Sequence, residues 1–347
     1  MNRGLGNLGN LRKCAAYFSK PSNFHRASVA SIQPAHALIM NLEAKFVERD
    51  WIGVGKKYES IPPFVELQAR ACFAIPETSS TTLPATTLPV SEFISCTLPS
   101  VFPEAISTKV QMWFSQEPPS IAHEVFLLRP IPPQEFVTRL SEAVGQAWLD
   151  GAQSVIDHRF NDRLPLWAIT YWKKAFKVQA VQSLWKRSVT WLEQEDKRQR
   201  EKGAALDDLL AVRELLRTSV GWDSGMPHLN GMASTGNLSR FLGVRWLSDD
   251  NVNMMIEELV LDLQGQKERS HILLLSLNFP VTIGNIVPKL AQPPAAREKS
   301  FLGQIERQVS DGSLEKLYFP LHITKNHWIA GEINFKEKTF AFGEPSE

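Results

Sequence analysis

His327, Trp328 and Glu344 are the residues of this chain whose chemistry and spacing point most directly to catalysis or ligand binding. Leu317 to Phe335 reads as a strand, a short polar loop, a His-Trp pair and a second strand, and the chain then turns back toward Glu344. If Lys336-Glu337 forms a two-residue turn, Phe335 faces Lys338 and Ile329 faces Glu344. Side chains alternate along a strand, so His327, Ile329 and Glu344 then share one face. His327 and Glu344 become diagonal neighbours, with Cβ atoms within about 8 Å. A carboxylate there would set the imidazole tautomer and stabilise imidazolium, as the base of a thiol or hydroxyl nucleophile requires. A one-residue slip would separate the two groups, and Lys-Glu is poorly suited to a type I′ turn. The plain alternatives are a solvated histidine at a strand end and a tryptophan packed in a core. The three cysteines, Cys14, Cys72 and Cys96, all lie far upstream, so half of a hydrolytic site is visible without its nucleophile.

The elements that would position these groups can be read by periodicity. Ser248 stands at a helix N-cap, and Asp249 and Asp250 favour the positive end of the helix dipole. Val252, Met255, Ile256, Leu259, Val260 and Leu263 form one apolar stripe, and Gly265 ends the run. Ile272 to Leu277 is a buried apolar segment that periodicity leaves open between strand and helix. A short amphipathic helix around Phe301 to Val309 precedes a strand over Lys316 to Ile323.

Upstream, helical patterns begin at Gln134, with Phe136, Leu140, Val144, Ala147 and Trp148 on one stripe. A second run carries Trp167, Tyr171, Trp172, Leu184, Trp185, Val189 and Leu192, and a third spans Asp207 to Thr218. Lysines beside the tryptophans could serve a nucleic acid, but a core stripe with a solvated mixed-charge face accounts for the pattern more simply. Residues 76–103 are rich in Ser, Thr and Pro, as linkers are. The organisation expected is therefore a largely irregular region over 1–132, a helical region over 133–220, and a mixed domain over 238–347.

Two blocks of that last segment carry a family resemblance. Trp246-Leu-Ser-Asp-Asp-Asn-Val resembles the Trp-Leu-Asn-Asp motif that opens a helix in the ubiquitin-like-protein-specific cysteine proteases, the family that processes and removes SUMO-type modifiers. Phe319-Pro-Leu-His-Ile-Thr-Lys-Asn-His-Trp-Ile-Ala-Gly-Glu-Ile-Asn-Phe-Lys-Glu-Lys-Thr resembles that family's catalytic-histidine block. The resemblance covers about residues 238–347. It implies an α+β, papain-like fold and thiol-protease (hydrolase) activity on a modifier or its conjugates. By the same resemblance His327 matches the general base, and Trp246 and Trp328 match two indoles that roof a slot over the modifier's Gly-Gly tail. Asp249 matches an acid that contacts the modifier surface, and Glu344 stands where the family has aspartate.

Family members continue through a Gln and an Asp-Cys-Gly stretch that bears the nucleophile. The expectation is thus a domain truncated before its cysteine and inactive as written, since a covalent intermediate needs a thiolate. The alternatives are a non-catalytic modifier-binding module and a helical scaffold with weak nucleic-acid binding.

Composition narrows the classes further. Lys+Arg 38 against Asp+Glu 37 leaves a net charge of +1, which provides no general attraction to nucleic acid. No Cys/His cluster implies zinc and no cofactor is expected. No apolar run approaches the ~20 residues that span a bilayer. Sparse cysteine fits a reducing, intracellular setting, nuclear or cytoplasmic. The acid-free start with Arg3, Arg12, Lys13, Lys20 and Arg26 leaves mitochondrial targeting as an alternative.

Overall fold

The computed structural model describes residues 50–80, 82–121, 123–203, 205–226, 233–264, 271–277, 279–280, 300–323 and 327–343. The basic N-terminal stretch, Cys14, Gly265 and Glu344 lie outside the described residues. The architecture is α+β. The described residues divide between two compact units, one within Pro21–Ser183 and the other within Leu184–Glu347. The division falls inside one long helix, α3, whereas composition had placed the breaks at 132/133 and between 220 and 238.

The Pro21–Ser183 unit contains helices α1 (Pro63–Phe73) and α2 (Gln134–Leu149) and the first half of α3 (Ala168–Glu201). A small antiparallel sheet is ordered β1 (Phe114–Ser115), β2 (Ser154–Asp157), β3 (Asp162–Pro165). Helix α2 forms over the predicted span and buries Phe136, Leu140, Val144 and Trp148. The Trp113 ring packs on Phe136 at 4.7 Å, and Phe126 lies 5.2 Å from Trp167.

The described part of the segment expected to be irregular, residues 50–132, is a packed part of this unit. Val65, Val90, Phe93, Trp113, Phe126 and Ile131 are all buried. Within the Pro/Thr-rich stretch the chain forms short helices at Glu77–Ser80 and Val90–Phe93, and the second places Val90 and Phe93 inward. The Gln182 side chain on α3 then donates to the carbonyls of Phe93 (2.9 Å) and Cys96 (2.8 Å). Those bonds dock the stretch onto α3, adding to the Cys96 N–H that the Phe93 carbonyl already accepts at 3.1 Å. Composition shows the prolines; it does not show the glutamine 80 to 90 positions downstream that docks them.

Beyond residue 183, the buried stripe of α3 continues through Trp185, Ser188, Leu192, Glu195 and Gln199. Its polar members are all bonded. Ser188 donates to the carbonyl of Ser239 at 2.7 Å, and Glu195 accepts from Arg198 and Gln199, each at 2.6 Å. Helix α4 (Asp207–Thr218) forms as predicted. Trp167, Trp172 and Trp185 are all buried, so they present no aromatic face to a nucleic acid.

The Leu184–Glu347 unit ends in a four-stranded sheet ordered β4 (Ile272–Leu274), β5 (Lys316–Ile323), β6 (His327–Asn334), β7 (Thr339–Gly343). Strand β4 is parallel to β5, and the remaining pairs are antiparallel. A parallel pair needs a crossover, and α6 (Phe301–Ser310), capped by the Ser300 hydroxyl, lies within it. One sheet face, carrying Leu317 and Phe319, packs with Leu275, Phe279, Ile305 and Leu314 in a core. Gly331 sits opposite Phe319 in the ladder, and a Cβ there would stand 2.9 Å from the ring edge.

Candidate functional site

The opposite sheet face carries Tyr318, Pro320 and His322 from β5. Across the ladder they meet Glu332, Ala330 and Trp328 of β6. Helix α5 (Asp249–Gln264) supplies the other wall of a groove on this face. The groove has a volume of about 480 Å³. Leu247, Val252, Met255, Ile256 and Leu259 line it on the helix side, and Leu274, Tyr318, Pro320, Trp328 and Ala330 are among the sheet residues.

The start of α5 explains how that wall is held. The Ser248 hydroxyl and N–H both donate to Asn251 Oδ1, at 2.7 and 3.2 Å, and Asn251 Nδ2 donates to the carbonyl of Asn237 at 2.8 Å. The Asn251 side chain thus accepts the Ser248 N–H, as the third helical residue does in one half of a capping box, while the serine hydroxyl donates to the same oxygen. Along the helix, the buried positions are Asn251, Met254 and Glu258. The apolar stripe read from the sequence is half-buried, with Leu259 51% exposed, and four of its members line the groove. An apolar helix stripe turned to a groove, with a hydrogen-bonded polar residue buried on another face, is a reversal of the usual order.

Trp328 is half-buried on the sheet side of the groove. Its indole stacks on the His322 ring, with centroids 4.2 Å apart and planes at 26°. Trp246, its expected partner in a pair of indoles, is 68% exposed and is not among the groove residues; Leu247 occupies that wall. Asp249 is exposed at the first position of α5.

A polar cluster closes the lower part of the same sheet face. Lys316 Nζ lies 3.1 Å from Glu332 Oε1. Hydrogen bonds from Tyr318 and Lys316 hold the Glu332 carboxyl below its ordinary range. Burial, then the neighbouring Glu332, pushes the Tyr318 phenol up, so it remains a protonated donor at neutral pH. Tyr318 and His322 escaped notice in the sequence. The signal that could have found them is β-alternation around Pro320, which puts residues 318 and 322 on one face once the pairing with β6 is known.

His327 opens β6 opposite Ile323, and its place there is that of the backbone. The ladder between β6 and β7 runs from Asn334↔Thr339 to Ala330↔Gly343, the register expected from the sequence. Glu344, and with it the expected diagonal relation to His327, lies outside the described residues. The turn differs from expectation. It spans four residues, Phe335–Lys338, with Asn334 Oδ1 accepting the Glu337 N–H at 3.1 Å and Lys338 at φ 54°. Four-residue hairpins built this way accept Lys-Glu where a type I′ turn would not.

Of the cysteines, Cys72 and Cys96 are free thiols in the Pro21–Ser183 unit. Burial pushes the Cys72 thiol up against the smaller opposing effect of a hydrogen bond with Trp148, which is the reverse of an activated thiolate. Among the described residues, no three His, Cys, Asp or Glu side chains are grouped to hold a metal ion, and no helix is long and apolar enough to cross a membrane. The described site is suited to holding an extended, largely apolar segment beside an indole. Compared with protein-family models, curated proteins and solved structures, the chain has no match.

Proposed function

We propose that residues 238–347 form the histidine-bearing part of a papain-like, ubiquitin-like-modifier cysteine protease fold, and that the groove beside Trp328 receives the C-terminal tail of a SUMO-type modifier. One observation carries this reading. The two sequence blocks that resemble the family, 246–252 and 319–339, meet in space as the two walls of one groove, with Leu247 and Val252 on one side and Trp328 on the other. A Gly-Gly tail suits a narrow slot beside an indole because glycine has no Cβ to collide with the wall. Tyr318, whose proton goes to Glu332, offers its phenol oxygen as an acceptor to an N–H of the tail's backbone.

In this reading His327 is the base, Glu344 its orienting acid, and Trp246 and Asp249, both exposed, meet the folded body of the modifier. Strand alternation sets positions 327 and 328 on opposite faces, so the end of the tail must leave the groove past the start of β6 to reach the base. No cysteine occurs in residues 238–347, so that segment binds the tail without forming a thioester. The setting that goes with this function is intracellular, nuclear or cytoplasmic.

The test is an NMR titration of isotopically labelled SUMO-type modifier with the full chain. Shifts concentrated at the Gly-Gly tail, and reduced by Trp328→Ala, are expected. An unchanged tail at high micromolar concentration would refute the proposal. A modifier with an electrophilic C-terminus should give no covalent adduct with residues 238–347, and an adduct mapped to Cys72 or Cys96 would assign the nucleophile to the other unit.

A further inference from the structure

The Pro21–Ser183 unit holds a separate pocket of about 650 Å³, lined from α1, α2 and the start of α3. Its floor is apolar: Val144, Leu166 and Ile169 are buried there, with Phe73 beside them. One wall is the Tyr58 ring, which lies so close to Gly145 that a Cβ would stand 2.8 Å from it. The Tyr58 N–H donates to Gln146 Oε1 at 3.0 Å, and Gln146 Nε2 donates to the carbonyl of Lys56 at 3.0 Å, so this wall is fastened to α2.

The rim has the opposite character. Lys173, Lys174 and Lys177 line the pocket from α3, and Glu142 is the one carboxylate among the lining residues. Lys173 Nζ donates to Ser141 Oγ of α2 at 2.9 Å, which holds its ammonium across from the neighbouring helix. The volume lies within the roughly 300–1,000 Å³ typical of small-molecule sites.

We propose that this pocket binds a small amphiphile with an aliphatic body and a carboxylate head, of the medium-chain fatty-acid type. The aliphatic body would cover the floor of Val144, Leu166 and Ile169 and release water from it. The carboxylate would meet the lysine rim, where charge-assisted hydrogen bonds exceed neutral ones. Inorganic phosphate would leave the floor uncovered, and a neutral alcohol would bring no negative charge to the lysine rim. Charge complementarity together with an apolar floor therefore selects the carboxylate amphiphile.

The probe is decanoate, titrated calorimetrically into the full chain below its aggregation concentration, with decanol and inorganic phosphate as comparators. Saturable decanoate binding at least about tenfold tighter than decanol is expected, the size of one charge-assisted hydrogen bond. The exposed pair Lys173→Glu and Lys174→Glu should weaken decanoate by a similar factor while leaving the far-UV circular dichroism unchanged. Thr170→Trp, which narrows the pocket from its half-buried wall, should weaken decanoate and decanol alike. The proposal fails if decanoate shows no saturable heat, if both variants bind it as the parent does, or if phosphate displaces it at equal concentration.

Discussion

His322 and Trp328 face each other across the β5–β6 ladder with their rings stacked, centroids 4.2 Å apart. The indole therefore enters the groove wall from a supported position, and the histidine that supports it is not the one the sequence singles out. A double-mutant cycle of His322→Ala and Trp328→Ala, followed by urea unfolding, should give a coupling of about 0.5–1.5 kcal/mol, as for other aromatic pairs. Additive single effects would mean that the stacking contributes nothing to stability. Under the proposed function, His322→Ala also weakens tail binding, because the unsupported indole gains rotamer freedom.

The buried Asn251 joins the cap of α5 to the carbonyl of Asn237 through three hydrogen bonds. Asn251→Ala removes them all and leaves part-buried groups unpaired, so a loss of about 1–3 kcal/mol is expected in denaturant unfolding. Asp249→Ala, two residues earlier and exposed, should stay within about 0.5 kcal/mol. Equal effects of the two substitutions would contradict the assignment of Asn251 as the anchor.

Glu195 provides a test by pH. Burial alone would raise its carboxyl, but hydrogen bonds from Arg198 and Gln199, with the Arg198 charge, outweigh burial and hold it below the ordinary 4.5. A carboxyl whose folded value is depressed binds fewer protons in the folded chain than in the unfolded one. Its stabilising contribution is therefore fully present above about pH 4.5 and is lost as pH falls through the lower, folded-state value. Glu195→Gln should destabilise the protein at neutral pH and flatten the fall in stability below pH 4.5. Parallel pH profiles for the parent and the variant would show that the carboxylate is not the linked group.

The sheet offers two opposed glycine tests. Gly331→Val puts a branched side chain against the Phe319 ring, which lies in the core and has little room to move, so a loss of about 1–3 kcal/mol is expected. Lys338→Gly relieves a positive φ in the β6–β7 turn and should stabilise by about 0.5–1 kcal/mol in thermal or urea unfolding. A stabilising Gly331→Val would contradict the close approach of Phe319.

The helices over 134–149, 207–218 and 301–310, the strand over 316–323 and the alignment of β6 with β7 were all legible in the sequence. Each is specified by a local periodicity, and shifting the alignment by one residue would turn Ile329 and Ile333 to the wrong face. Tertiary structure decided the rest. The periodic stripe of α5 identifies an apolar face, but whether that face meets a core or a groove depends on strands whose residues lie far along the chain. Leu247 rather than Trp246 lines the wall, just ahead of the point where Ser248 is tied to Asn251 at the start of α5. The Pro/Thr-rich segment is tied down by Gln182, which donates to the carbonyls of Phe93 and Cys96 from far along the chain. Periodicity is written in neighbours, whereas burial is settled by partners brought together only when the chain folds.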